Sequence, residues 1–150
     1  MMNPAALFSP WQAIRKDLIA MIDLFTIEEM DYRPFSSSWS VREIFLHIAE
    51  TEDFWIREVV QKQPPVTSED LTTNLPIKTL IKTRLMDSFE LTQQLLEGLT
   101  VEDLEQLIQL PDGAHFRLYD ILWHVIEHEI HHRGELSLVL GLLGKEGLDV

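Results

Sequence analysis

The strongest constraint on the fold is the spacing of apolar residues, which recur at three- and four-residue intervals through four long segments. The first segment runs from about Pro10 to Met30, and the last from about Leu118 to Leu143. Such spacing places apolar side chains along one face of an α-helix, and little of the chain resembles a sheet. Four amphipathic helices of about twenty residues each predict an all-α fold, a four-helix bundle.

Capping and turn residues set the limits of the second and third helices. Residues 40–43 (Ser-Val-Arg-Glu) have the pattern of a capping box, in which serine and glutamate satisfy free amides at a helix start. The proline pair at 64–65 ends the second helix, and the third is expected from about Pro76 to near Gly98. The polar segment up to about Asn74 therefore predicts one longer crossover connection.

Shorter signals follow the third helix. A further turn of helix is expected after Thr100, and Pro-Asp-Gly at 111–113 predicts a tight turn. Gly144 is expected to cap the fourth helix at its C-terminal end. At 150 residues and 45% apolar content, the chain has the size and composition of a single domain, residues 1–150.

Composition excludes several functional classes. A net charge of -13 would repel a phosphate backbone, so nucleic acid is not expected as a partner. No apolar run approaches the ~18 residues that span a bilayer, and residues 1–10 lack a signal-peptide pattern. We therefore expect a soluble, cytoplasmic protein without a membrane partner. The chain has no cysteine, so a metal site must use nitrogen and oxygen ligands.

Four of the six histidines fall within residues 124–132 of the fourth predicted helix. Because each residue advances about 100° around a helix axis, His132 lies inside the apolar sector and His128 at its edge. His131 points well outside that sector, and His124 is peripheral to it. Two imidazoles one turn apart can hold a divalent ion from one side, whereas a buried pair without metal or hydrogen bonds would be costly.

The remaining ligand must come from a neighbouring helix. His47 is the only histidine on another predicted helix, although it lies toward the flank of the apolar stripe there. A lone histidine at such a position is more often structural, but the need for a third ligand favours His47. His115 lies beside the predicted turn, where we expect a solvated loop residue.

Two stretches of the sequence resemble the DinB-like (YfiT-like) superfamily of metalloenzymes. One combines Tyr-Arg-Pro at 32–34 with residues 39–50, and the other is 124–136, which contains His-His-Arg-Gly. The resemblance covers nearly the whole chain and implies a four-helix bundle, often homodimeric, with a divalent metal held by three histidines. By motif position these ligands are His47, His128 and His132. The residue after Arg-Gly, often Gln in this family, is Glu135 here, which leaves any supporting role of that side chain open.

A three-histidine centre suggests a reaction class. Three neutral imidazoles leave a metal ion with its full charge and an open position, so a bound water is acidified or a thiol binds as thiolate. Zinc is the default, and nickel, iron, cobalt or manganese also suit such ligands. The resemblance implies members that transfer bacillithiol to electrophiles and others that isomerise maleylpyruvate with mycothiol. We expect a metal-dependent thiol S-transferase that takes a small-molecule substrate and a low-molecular-weight thiol.

A metal-dependent hydrolase is the first alternative. Residues 128–132 match the HExxH metallopeptidase pattern, with Glu129 as general base and candidate catalytic residue. A metzincin would need glycine at 135 and histidine at 138, where this chain has Glu135 and Leu138. Glu129 equally suits a packed helix edge or a dimer surface.

The second alternative is a non-catalytic, metal-stabilised binding protein. Structural zinc sites are normally closed by four protein ligands, and Glu50 or Glu127 is a candidate for the fourth.

A homodimer is also expected. Trp11, Phe54 and Trp123 extend the apolar helix faces beyond one core-facing stripe, as they would if a second subunit covered them.

Overall fold

The computed structural model describes residues 3–67 and 74–149. Over this range the chain is largely helical. The α-helices are α1 (Pro4–Leu7), α2 (Pro10–Ile22), α3 (Val41–Glu52), α4 (Ile77–Gly98) and α5 (Leu118–Leu142). Short 3-10 helices span Glu28–Asp31 and Glu102–Glu105, and a π-helix, Asp53–Val60, continues α3.

Helices α2, α3, α4 and α5 form the predicted four-helix bundle. Both α2 and α3 pack chiefly against α4 and α5, so α2 and α3 occupy opposite corners. The order around the bundle therefore departs from a simple up-down-up-down arrangement, in which successive helices are neighbours. Residues 61–76 connect the π-helix to α4, and residues 68–73 of the predicted crossover lie outside the described part of the chain.

Two apolar clusters fill the bundle, one toward each end. One includes Leu18 of α2 and Leu136 of α5, and the other includes Trp11 of α2 and Ile126 of α5. On each helix a polar residue separates the positions that belong to the two clusters. These buried polar residues are Arg15, Glu52, Ser88, Thr92, Glu129 and His132. The bundle thus has a polar layer across its middle.

The first long helix ends earlier than the apolar pattern predicts. It stops at Ile22 instead of Met30, and Glu28–Asp31 forms a separate 3-10 helix. The reason is local: Thr26 donates its amide to Glu29 Oε1 at 2.7 Å, and Glu29 donates its amide to Thr26 Oγ1 at 3.2 Å. This reciprocal pair starts a new helix, as a capping box does.

The second helix begins as its capping box predicts. Ser40 donates its amide to Glu43 Oε2 at 2.7 Å, and Glu43 donates its amide to Ser40 Oγ at 3.3 Å. The prediction that Gly144 terminates α5 is also confirmed. Gly144 has a φ of 77°, in the left-handed region that suits a C-terminal cap.

The predicted turn at 111–113 lies inside a small sheet that the sequence analysis missed. Strands β1 (Leu107–Gln109) and β2 (His115–Arg117) pair antiparallel, with Ile108 opposite Phe116. Gly113 has a φ of 89°, which glycine adopts without strain. His115 is exposed, as expected, but belongs to β2 and not to a loop.

The aromatic residues assigned to a dimer surface divide into two groups. Trp11 is 1% exposed and belongs to the core, so that part of the prediction is wrong. Phe54 and Trp123 remain 37% and 39% exposed. The homodimer itself stays a prediction. In the described ranges, no helix combines the length and apolarity that crossing a membrane requires.

Candidate metal centre

Three histidine rings converge between α3 and α5. His47 comes from α3, while His128 and His132 are one turn apart on α5. His128 Nε2 lies 2.9 Å from His47 Nε2 and 3.1 Å from His132 Nε2, and one ring nitrogen from each histidine lies within 4.8 Å of the others. Tetrahedral zinc with Zn–N bonds of ~2.0–2.1 Å separates its ligand nitrogens by about 3.3 Å. The three rings therefore fit a single divalent ion.

Burial keeps these imidazoles neutral. Burial, aided by the neighbouring histidines, lowers the pKa of His128 to about 4. Burial also lowers the pKa of His47 and of His132, although Glu135 opposes both shifts. A neutral imidazole retains the lone pair that a metal ion needs. The cluster is thus in the protonation state of a metal ligand set near neutral pH.

Glu135 contacts the outer nitrogen of one ring. Its Oε2 lies 3.2 Å from His132 Nδ1. When neutral His132 carries its proton on Nδ1, that N–H donates a hydrogen bond to the Glu135 carboxylate. Its Nε2 is then unprotonated and is directed at the other two histidines. Glu135 therefore has the position of a carboxylate that could orient His132 toward a metal ion.

Trp39 covers one side of the cluster, and sequence reasoning did not identify it as a site residue. Its indole lies 4.2 Å from the His47 ring and 5.9 Å from the His132 ring, centroid to centroid. Thr51 adds a hydroxyl 3.5 Å from His128 Nε2. Trp39 precedes α3, so no helical periodicity relates it to the histidines. Thr51 is one turn after His47, and this spacing was its only signal.

The other two histidines of the cluster on α5 do not join this group. His131 is 73% exposed, as its phase predicts, and His124 packs on Trp55 with ring centroids 5.1 Å apart. A second set, His131, His132 and Glu135, also has ligand atoms within 4.8 Å of one another. It shares His132 with the first set and includes the exposed His131.

Glu129 does not lie among the metal-site side chains, which corrects its assignment as a candidate general base. It is 1% exposed, and its Oε1 accepts a hydrogen bond from Arg15 Nε at 2.7 Å. Its Oε2 accepts from Trp11 Nε1 at 2.7 Å and from Arg15 Nη2 at 2.8 Å. Because both oxygens are engaged by donors in the polar layer, the side chain acts as a structural anchor of α5.

Arg15 connects α2 to the other three helices of the bundle. Besides Glu129 on α5, it donates to the Leu85 carbonyl on α4 at 2.6 Å and pairs with Glu52 on α3. Burial lowers the pKa of Arg15, but the two carboxylates outweigh it and the net shift is upward. Burial raises the pKa of Glu52, and Glu129 adds repulsion that Arg15 only partly offsets. The polar layer thus holds the carboxyl groups of Glu52 and Glu129 around the guanidinium of Arg15.

The three-histidine set has no fourth protein ligand in the described ranges. Only two groups of histidine and carboxylate side chains there come close enough together to hold an ion, and neither contains Glu50 or Glu127. The closed, four-ligand arrangement of a structural zinc site is therefore not formed by these carboxylates. An ion at the three rings would keep a position open.

Comparison with known proteins identifies relatives of this fold. A family model described as the DinB superfamily matches residues 11–136. The uncharacterized protein YizA of Bacillus subtilis (strain 168) is 27% identical over 131 residues, which cover 85% of this chain and 79% of YizA.

Solved structures show the same architecture. A DinB-like protein from Bacillus cereus ATCC 10987 superposes with a TM-score of 0.78 at 18% identity, covering 99% of both chains. YfiT from Bacillus subtilis, described as a probable metal-dependent hydrolase with an unusual four-helix bundle topology, gives a TM-score of 0.57 at 20% identity. That match covers 89% of this chain and 87% of YfiT.

Proposed function

The chain belongs to the DinB superfamily, and from this premise we propose that it is a metal-dependent enzyme whose His47, His128 and His132 hold one divalent ion. The observation that carries the proposal is the convergence of three neutral ring nitrogens from two helices without a fourth protein ligand in the described ranges. Zinc is the proposed ion because three imidazoles with an open position suit it. Family membership alone would support the fold but not the ligands.

An ion bound by three neutral imidazoles would lower the pKa of a thiol or water that occupied its open position. The protein's own side chains would prepare that position. Glu135 orients His132 through its Nδ1, and Trp39 excludes solvent from one side of the rings. Thr51 offers a hydroxyl beside His128.

Within this class we propose a thiol S-transferase that joins a low-molecular-weight thiol to a small electrophile. The supporting observation is the engagement of both Glu129 oxygens by Arg15 and Trp11. Hydrolysis assisted by a carboxylate general base would need a free carboxylate nearby, whereas a thiol of lowered pKa attacks as thiolate. Burial lowers the pKa of His47, and two other carboxylates, those of Glu50 and Glu135, oppose that shift. Glu135 contacts His132, and Glu50 is exposed.

A metal-dependent hydrolase is the second candidate, and the similarity to YfiT favours it. The two candidates differ in one requirement, since the transferase needs a thiol and the hydrolase needs only water. Assay of zinc-loaded, untagged protein with a chromogenic electrophile and a panel of thiols, beside an ester substrate without thiol, separates them. Thiol-dependent turnover supports the transferase, while ester hydrolysis without thiol supports the hydrolase.

The ligand assignment is tested separately by metal content. His47→Ala, His128→Ala and His132→Ala should each lose most of the bound ion, because each removes one of three ligands. His131→Ala and His115→Ala, which change exposed histidines outside the set, should retain it. Full occupancy of His47→Ala, by elemental analysis, would eliminate His47 as the third ligand.

A further inference from the structure

A cavity of about 640 Å³ lies between the π-helix, the small sheet and the outer face of α5. Half of its ten lining residues carry aromatic rings. They come from Trp55, Phe116, Tyr119, Trp123 and His124. Phe116 and Trp123 are 46% and 39% exposed, so these rings are not consumed by packing in the core. We call this cavity the aromatic groove.

The charge of the aromatic groove is negative. Asp112, Asp120 and Glu127 line it, and no lysine or arginine does. Arg117 neutralises Asp120 through an ion pair of 2.9 Å at the edge of the groove. Asp112 accepts a backbone hydrogen bond from Ala114, but neither Asp112 nor Glu127 has an ion-pair partner among the described residues. Two carboxylates therefore retain uncompensated charge beside the rings.

The inner end of the aromatic groove approaches the histidine cluster. Trp55 packs on His124 with ring centroids 5.1 Å apart, and His124 precedes His128 by one helical turn. On the facing helix, Thr51 precedes Trp55 by four residues and lies 3.5 Å from His128 Nε2. One helical turn rises about 5.4 Å, so a molecule in the groove would end close to the three rings.

We propose that the aromatic groove binds a small organic cation with an aromatic or branched apolar body, an arylalkylammonium being the representative class. The faces of the indole rings carry negative electrostatic potential that attracts ammonium groups, whereas the Tyr119 ring already has the Arg117 guanidinium 5.5 Å from its centroid. The carboxylates of Asp112 and Glu127 add Coulombic attraction, while the apolar body covers the exposed rings. The further step, that this cation is the non-reacting part of the enzyme's substrate, rests on the proposed function.

Titration of the intrinsic tryptophan fluorescence with 2-phenylethylammonium tests the binding step. The matched probes are 2-phenylethanol, which lacks the charge, phenylacetate, which reverses it, and ethylammonium, which lacks the ring. Since cation–π attraction and a carboxylate both favour the ammonium, we expect it to bind about fivefold or more tightly than the alcohol. Phenylacetate and ethylammonium should show no saturable binding.

Variants locate the site. Glu127→Gln should remove most of the preference for ammonium over alcohol, and Trp123→Leu should weaken both probes. Glu102→Gln is the matched control, because Glu102 is an exposed carboxylate outside the groove and its loss changes the net charge equally. Equal losses in Glu102→Gln and Glu127→Gln would overturn the proposal, since they would reduce it to a general effect of the protein's acidity.

The titration is run on both metal-free and zinc-loaded protein, which separates this proposal from the metal proposal. Ammonium binding without metal binding would leave the groove standing and overturn the three-histidine enzyme. Metal binding without ammonium preference would overturn the groove alone. Ammonium binding that disappears as the protein self-associates would also overturn it, because a second copy of the chain would then be the occupant of the groove.

Discussion

Replacement of Arg15 by methionine should destabilise the bundle more than any change of a surface charge. The guanidinium donates to Glu129 Oε1 and Oε2 at 2.7 and 2.8 Å and to the Leu85 carbonyl at 2.6 Å, and it pairs with Glu52. Methionine keeps much of the apolar stem, so little of the core is emptied. What remains is two carboxylates, each 1% exposed, without their cation.

The magnitude follows from that burial. Removing one partner of a buried ion pair costs about 3–5 kcal/mol, because the remaining charge is neither solvated nor compensated. For a chain of about 150 residues, each kcal/mol lowers the melting temperature by about 2–4 °C, so a fall of about 6–20 °C is expected. Lys82→Met is the control, since Lys82 and Asp23 form an ion pair with 34% and 61% exposure. Its expected cost is below about 1 kcal/mol.

The pH dependence distinguishes this mechanism from a simple packing defect. Without Arg15, burial and the charge of Glu129 would raise the pKa of Glu52 further above the unfolded value of about 4.3. The folded variant then binds protons that the unfolded chain releases, so its deficit grows as pH rises and shrinks toward acid. Urea unfolding followed by circular dichroism at pH 5 and pH 8 measures the deficit. A loss below about 1 kcal/mol at pH 8, or an equal loss at both values, would refute the reasoning.

Four further predictions concern the metal site and assembly. After dialysis at a series of pH values from 8 to 4, metal content should fall at the acid end, because protons compete with the metal ion for the imidazoles. The pKa of His128 is about 4, so retention of all metal at pH 4 would contradict the ligand set. Without metal, stability should decline from pH 6.5 toward 4, because unfolded His128 takes up a proton near 6.5 and the folded residue near 4. Glu135→Ala should weaken metal binding about tenfold, measured by competition with a chromophoric chelator. Glu135→Gln should weaken it less, because the amide oxygen still accepts a hydrogen bond from His132 Nδ1. Unchanged affinity in Glu135→Ala would contradict the orienting role of Glu135. In sedimentation equilibrium at micromolar concentration we expect a dimer, and a single species near 17.5 kDa would contradict it.

Much of the arrangement along each helix was predictable from local signals. The capping box at Ser40, the cap at Gly144 and the inward phase of His128 and His132 all follow from backbone geometry that repeats every few residues. The small sheet was missed because strands of three residues are too short to display an alternating pattern. The early end of α2 was missed because the reciprocal Thr26–Glu29 pair is a local signal that the continuing apolar pattern obscured.

Helical periodicity alone establishes which side chains share a helix face, because the period is a property of the backbone and needs no partner. Periodicity does not determine which residues of the other helices lie against the apolar stripe of each helix. The partner of Glu129 is Arg15, more than a hundred residues earlier, and only the packing of α2 against α4 and α5 brings that guanidinium into the polar layer. The packing of α3 against α5 brings His47 to His128, and the contact of α2 with α5 pairs Glu129 with Arg15. Contacts between helices depend on the order of the helices around the bundle, which local periodicity does not encode.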